Sequence, residues 1–203
     1  MPSGEPLRGE AARGNGSDYT SLYFVCTANR CRSPFAQAIA QELAGSRPFL
    51  FASAGLLPGG YAVPENGLAV AAERGLRLVD HVSTRVEPRS LARWDVVLTM
   101  SRGHARELVA IEPDLWPRVF TLRQFRRWLQ AAGPPRHVTI GPWIRDVGAD
   151  RSRSELVGAN ADDDVADPIN EGIPAWREMA DLLEEEITTV LDLISPRRRR
   201  RSR

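Results

Sequence analysis

The sequence predicts an α/β fold in three layers, a four-stranded parallel sheet with helices on both faces. Three observations lead there. Short apolar runs recur at 19–26, 49–53, 95–100 and 119–122. Each is followed by apolar residues at helical spacing, the order expected of a parallel sheet built from crossover units. The runs are apolar almost throughout rather than alternating, as strands covered on both faces are. A length of 203 residues, 42% apolar and 26% charged, suits one domain with loose ends.

Residues 1–18 are rich in Gly, Ser, Glu and Arg, lack periodicity and read as a disordered arm. The folded domain is expected over 19–195. The first strand is 19–26. Residues 34–44 carry Pro34 in the first turn and Phe35, Ala38, Ile39 and Leu43 at helical spacing, so they predict a helix. A buried strand follows at 49–53, then a helix at 66–74 that Gly75 ends. The third strand is 95–100, and Ser101 caps a helix running to Val109. The last strand, 119–122, leads into a helix that ends near Ala131. In 133–163, prolines, glycines and arginines surround two apolar patches, and an inserted helix or a loop would both fit. Residues 175–194 repeat apolar side chains at Met179, Leu182, Leu183, Ile187, Val190, Leu191 and Ile194, a long amphipathic helix.

The 27 basic residues are all arginine. Genomic composition is the plain cause, yet the absence of lysine excludes a Walker A phosphate lysine, a Schiff-base lysine and a kinase-type ATP lysine. Any strong phosphate contact must come from arginine, backbone N–H groups or hydroxyls. The tail from Arg197 to Arg203 holds six arginines and no acid, which leaves 21 arginines against 26 acids in 1–196. The domain is therefore mildly acidic, which does not indicate a nucleic-acid-binding domain. The basic tail is expected to be disordered and solubilising, and it could make weak contact with anionic partners. Two cysteines are too few for a disulfide scaffold, and His81, His104 and His137 are not at metal-ligand spacing. The first residues lack the apolar stretch of a secretory signal, and no apolar run approaches the ~20 residues of a membrane span. The expected compartment is the cytoplasm.

The chemistry gathers where the first strand meets the first helix, in Cys26-Thr27-Ala28-Asn29-Arg30-Cys31-Arg32-Ser33-Pro34. A cysteine ends a buried strand, and six residues later an arginine stands at the mouth of a helix. Such a turn can aim successive N–H groups at one point, and the helix N-terminus adds partial positive charge. A thiol held there is expected to react as the thiolate. The same donors would hold phosphoryl oxygens, Arg32 could clamp two of them, and the Ser33 hydroxyl could hydrogen-bond the sulfur.

With its strand before and its helix after, this string resembles the low-molecular-weight protein tyrosine phosphatase family, which places Val-Cys-x-x-Asn-x-Cys-Arg-Ser-Pro at that turn. Further features follow in the family's order: Ser53-Ala54-Gly55, Asp80-His81, Val96 to Met100 with Ser101, and Asp167-Pro168. The resemblance spans roughly 19–194. It implies a phosphomonoester hydrolase acting on phosphorylated protein, with phosphotyrosine as the expected target and no cofactor. Cys26 would attack phosphorus and form a phosphocysteine. The N–H groups from Thr27 through Ala28, Asn29, Arg30 and Cys31 to Arg32, together with the Arg32 guanidinium, would hold the phosphoryl group. Asp167 would act as general acid and then activate water. Asp162, Asp163 and Asp164 lie close by and could each serve, but Pro168 stiffens the chain beside Asp167 and favours it. Asn29 would hold the loop shape, with Ser53 and His81 in support. Under oxidation Cys31 could pair with Cys26.

Two departures bear on substrate. The family's Asp-Pro-Tyr reads Asp167-Pro168-Ile169, so one wall of the cleft would be aliphatic, and Tyr61 could supply an aromatic one. Arg30 precedes Cys31 where phosphoarginine-specific members carry threonine, and a cation there should repel a guanidinium. The alternatives are a protein arginine phosphatase, an arsenate reductase of the same fold, or a non-catalytic phosphate-binding or interaction module. A reductase would need further cysteines to pass a disulfide on. A non-catalytic module would be expected to have lost Cys26 or Asp167.

Overall fold

The structure, a computed structural model, describes residues 19–133, 140–158 and 160–195. The expected arm at 1–18 and the tail at 196–203 lie outside the described residues. The strands are β1 (Thr20–Cys26), β2 (Phe49–Gly55), β3 (Val96–Thr99) and β4 (Val119–Thr121), all parallel, in the order β2-β1-β3-β4. The helices are α1 (Arg32–Ala44), α2 (Glu65–Glu73), α3 (Arg102–Ile111), α4 (Leu122–Ala132), α5 (Ile140–Ala149) and α6 (Ile173–Ile194).

Alternation along each strand divides the core in two. Leu22, Phe24 and Cys26 of β1 face the layer holding α1, α2, α4 and α6, with Leu98 and Phe120 beside them. Val25, Val97 and Val119 face the opposite layer, where Ala105 and Leu108 of α3 pack with Leu91, Trp94 and Trp116. Both faces are thus dry, the condition under which a strand carries apolar side chains on both sides.

The helix starts follow from their caps. Ser101 Oγ accepts the His104 N–H at 3.2 Å and opens α3. Thr121 and Gln124 form a reciprocal capping box at α4, with Gln124 N–H on Thr121 Oγ1 at 3.1 Å. Helix α1 begins at Arg32 rather than at Pro34. Proline is tolerated anywhere in a first turn, where its missing N–H would have no intrahelical partner, so Pro34 marked the turn and not its first residue.

Among its described residues, the segment left open at 133–163 contains α5 and a 3-10 turn at Arg153–Leu156. Helix α5 packs backbone to backbone on the chain before β4, since a Cβ at Gly148 would lie 2.0 Å from Pro117 O. The chain then brings Arg151 to the exposed side of β4. Its guanidinium lies 3.6 Å from the Phe120 ring centroid and donates to Val119 O at 2.9 Å, covering an edge carbonyl.

The register pairs Cys26 with Gly55, Val25 with Thr99, and Thr99 with Thr121. All four carboxyl ends therefore meet at one edge. The order reverses at β1, whose following helix leads to β2 on one side while β3 lies on the other. A crevice opens at such a switch point, beyond the strand ends.

Candidate active site

Residues 27–31 form the loop in that crevice. Asn29 sits in the left-handed region at φ 54°, one of the few non-glycine types that tolerate it. Its buried amide holds the loop from three sides. Nδ2 donates to Ser33 Oγ and to Ser53 Oγ, each at 2.9 Å, and Oδ1 accepts the Thr84 N–H at 3.0 Å. His81 Nε2 lies 2.8 Å from Asn29 O; a carbonyl only accepts, so this nitrogen carries the proton. Ser53 passes its own proton to Gln37 Oε1 at 2.7 Å. Gly55 is required beneath the loop, because a Cβ there would fall 2.6 Å from the Ala28 carbonyl carbon.

Cys26 is buried at the end of β1, its sulfur between two donors. The Asn29 N–H points to it at 3.3 Å, and Ser33 Oγ is 3.1 Å away. Ser33 Oγ also lies 3.3 Å from Ala54 O, and one of its lone pairs is taken by Asn29. Its single proton can thus go to the Ala54 carbonyl or to the sulfur, and a thiolate would claim it. Cys31 differs. Burial first, then the negative charges of Asp167 and Cys26, push its thiol well above the usual range, so it remains protonated.

Cys31 is also the N-cap of α1 and makes no side-chain cap bond. The first N–H groups of α1 have no intrahelical partner and face the loop. Arg32 stands among them, its side chain 7% exposed. Nη1 donates to Val165 O at 3.2 Å, and Nη2 donates to Thr27 Oγ1 at 3.1 Å and forms an ion pair with Asp167. Nε is buried with no partner among the described residues.

The neighbouring aspartates separate by environment. Asp163 is fully buried and ion-paired with Arg102 and Arg127. Asp164 accepts the Arg102 N–H at 2.8 Å, closing the N-terminus of α3. Asp162 is exposed. Asp167 alone of the four meets Arg32, and its side chain is 36% exposed.

Four further placements emerge. Arg30 turns away from the loop: Nε donates to Ala62 O at 3.0 Å, and the guanidinium lies 5.5 Å from the Tyr61 ring centroid. Tyr61 is exposed on a rim held by two bonds to Ser83, whose N–H donates to Tyr61 O at 2.9 Å and whose Oγ accepts the Tyr61 N–H at 3.0 Å. Ile169 is half-buried and packs against the larger core. The fourth is His104, which sequence reasoning set aside as scattered. It is buried, with Nε2 2.9 Å from Thr27 Oγ1. Burial, with the positive charge of Arg32 second, pushes its imidazole down to about 4, so it is neutral at physiological pH. A signal was present in the sequence: His104 lies in the turn that Ser101 caps, just past the carboxyl end of a strand.

Comparison with known proteins agrees with this fold. A model of the family described as low molecular weight phosphotyrosine protein phosphatase matches residues 21–133. The low molecular weight protein-tyrosine-phosphatase Wzb of Escherichia coli is 31% identical over 101 residues, covering 50% of this chain and 68% of Wzb. PtpB of Staphylococcus aureus is 32% identical over 117 residues, covering 51% of this chain and 72% of PtpB. Among solved structures, the arginine phosphatase YwlE of Geobacillus stearothermophilus is 25% identical with a TM-score of 0.63, over 85% of this chain and 91% of its own. The low molecular weight protein tyrosine phosphatase of T. tengcongensis has the same TM-score at 24% identity, over 85% of this chain and 98% of its own.

Proposed function

The chain belongs to the low molecular weight phosphotyrosine protein phosphatase family and is a phosphatase of that class, and on that premise we propose how its own residues carry the reaction. Cys26 attacks phosphorus in line as the thiolate and forms a phosphocysteine while the ester oxygen leaves. Asp167 enters the step protonated, its place on Arg32 taken by the phosphoryl group; it gives its proton to that oxygen, then takes one from the water that releases phosphate. The transition state is loose, so catalysis is mostly positioning and charge stabilisation. The first-turn N–H groups of α1 and the Arg32 guanidinium supply the positive field. Ser33 and the Asn29 N–H stabilise the sulfur both before attack and as leaving group. Asn29, Ser53 and His81 keep the loop in shape, and 19–195 act as one phosphatase domain. The observation that carries this is Arg32, buried and adjacent to the Cys26 loop, ion-paired with Asp167 and holding an Nε without a partner among the described residues.

The substrate we assign is a phosphorylated protein, with phosphotyrosine the preferred residue. Arg30 supports this: a guanidinium at the rim repels a phosphoarginine side chain and attracts acidic flanking residues. Tyr61, stacked with Arg30, offers an aromatic wall, and Ile169 lies on the acid loop. Among the described residues no helix is long and apolar enough to cross a membrane. A working nucleophilic thiol suits the reducing cytoplasm, and the arginine tail could contact anionic partners there.

The test is hydrolysis of p-nitrophenyl phosphate followed by a peptide comparison. Cys26→Ser should abolish turnover, and Asp167→Asn should slow it by about 10²–10⁴. A larger loss from Asp164→Asn would move the general acid to that residue. Phosphotyrosine peptides should be cleaved faster than phosphoarginine or phosphoserine peptides at equal concentration. Faster cleavage of phosphoarginine would overturn the substrate assignment and leave the mechanism standing.

A further inference from the structure

We propose that His104 is a positioning residue for the phosphate clamp, holding the Arg32 guanidinium in place through the Thr27 hydroxyl. This assignment rests on the catalytic reading of Cys26 and Arg32.

The direction of the hydrogen bonds carries it. A guanidinium only donates, so Thr27 Oγ1 accepts from Arg32 Nη2 at 3.1 Å. Thr27 then has one proton to give, and His104 Nε2 lies 2.9 Å away. The chain Arg32 to Thr27 to His104 runs one way if Nε2 is bare, which places the ring proton on Nδ1. Burial and the nearby arginine keep the ring neutral, so one of its nitrogens is bare. Chains of this kind polarise one another, so the acceptor at the end strengthens the bond at the start.

Two further observations separate this from ordinary packing. Nδ1 is buried without a partner among the described residues, a cost that an apolar side chain at 104 would avoid. His104 also stands on α3, outside the loop it touches, and the Ser101 cap bonds its N–H at 3.2 Å. The same turn carries Arg102, which holds Asp163 and Asp164. One turn of α3 therefore grips the clamp through His104 and the root of the acid loop through Arg102, and sets the placement of Arg32 against Asp167.

The experiment uses p-nitrophenyl phosphate hydrolysis with inorganic phosphate as competitive inhibitor, on the full chain. His104→Leu should raise KM and the phosphate inhibition constant by about tenfold, the size expected for weakening one charge-assisted bond. His104→Gln, whose amide can reach Thr27, should recover most of that loss. Thr27→Val should reproduce the His104→Leu effect, and the double variant should be no worse than either single one, because both cut the same chain. A merely structural role would lower the active fraction and thus kcat, leaving KM and the inhibition constant unchanged. That result, or losses that multiply in the double variant, overturns the assignment. Should His104→Leu fail to fold, Thr27→Val decides: wild-type phosphate inhibition in that variant overturns the assignment, and a tenfold weaker one supports it. Wild-type protein without Cys26-dependent hydrolysis would instead overturn the catalytic reading itself.

Discussion

Cys26 and Cys31 share one loop yet meet opposite surroundings. Cys26 receives the Asn29 N–H and can receive the Ser33 proton, whereas Cys31 is held as a thiol by burial and by the charges of Asp167 and Cys26. Selectivity between two neighbouring thiols thus comes from which one the donors face. The same reasoning gives a pH dependence for His104. Its imidazole is held at about 4 in the fold, against roughly 6.5 in the unfolded chain. Between those values the unfolded chain binds the extra proton, so stability falls as pH drops from about 6.5 to about 4. The loss is up to about 3 kcal/mol. Urea titrations at pH 7.5 and 4.5 should show a smaller drop for His104→Gln than for wild type. Equal drops would mean that the acid sensitivity lies in other groups.

At the scale of elements, the chain leading to Asp167 is tied down by arginine. Arg102 and Arg127 pair with Asp163, Arg123 donates to Ala161 O at 2.7 Å, and Arg102 donates to Val157 O at 3.0 Å. Asp163 is the anchor because it is fully buried and joins arginines from α3 and α4. Asp163→Ala should cost about 1–3 kcal/mol, since Arg102 and Arg127 lose their shared carboxylate but keep carbonyl partners. Turnover should fall as well, since the segment carrying Asp167 loses its hold on α3 and α4. Urea unfolding and kcat measured together check this; a stable variant with normal kcat would show the anchor to be dispensable. Gly55→Ala tests the other support of the site. The Cβ would meet the Ala28 backbone, so turnover should drop sharply while far-ultraviolet circular dichroism stays native.

At the scale of the whole molecule, the sheet order brings the carboxyl ends of four strands to one edge, and the site is assembled from their loops. The opposite concern is the side of β4, where unpaired backbone would face solvent. Arg151 covers it, stacked on Trp116 and Phe120 and bonded to Val119 O. Burial lowers this guanidinium to about 10, and it remains a cation at neutral pH. Arg151→Ala should lower the thermal midpoint by several degrees while leaving kcat/KM for p-nitrophenyl phosphate unchanged, because the residue contacts no part of the candidate site. A loss of kcat/KM at temperatures where the variant is fully folded would show that the β4 edge communicates with the crevice.

What the amino-acid sequence determined by itself is what neighbours along the chain encode. The four strands were legible as apolar runs, α3 from Ser101, α6 from its apolar spacing, and the Cys26 loop as one contiguous string. The segment 133–163 was not legible, because α5 holds Gly141, Pro142 and Gly148, which read as loop signals, and Gly148 packs against the Pro117 carbonyl, a contact with no local trace. Tertiary structure alone decided the pairings across the chain. Arg32 and Asp167 stand 135 positions apart, and Thr27 and His104 stand 77 apart. Tertiary structure also sorted Asp163 and Asp164 into anchors and left Asp167 beside Arg32. The physical reason is that periodicity and caps act over a few residues, whereas these pairs exist only once a parallel sheet has aligned its carboxyl ends.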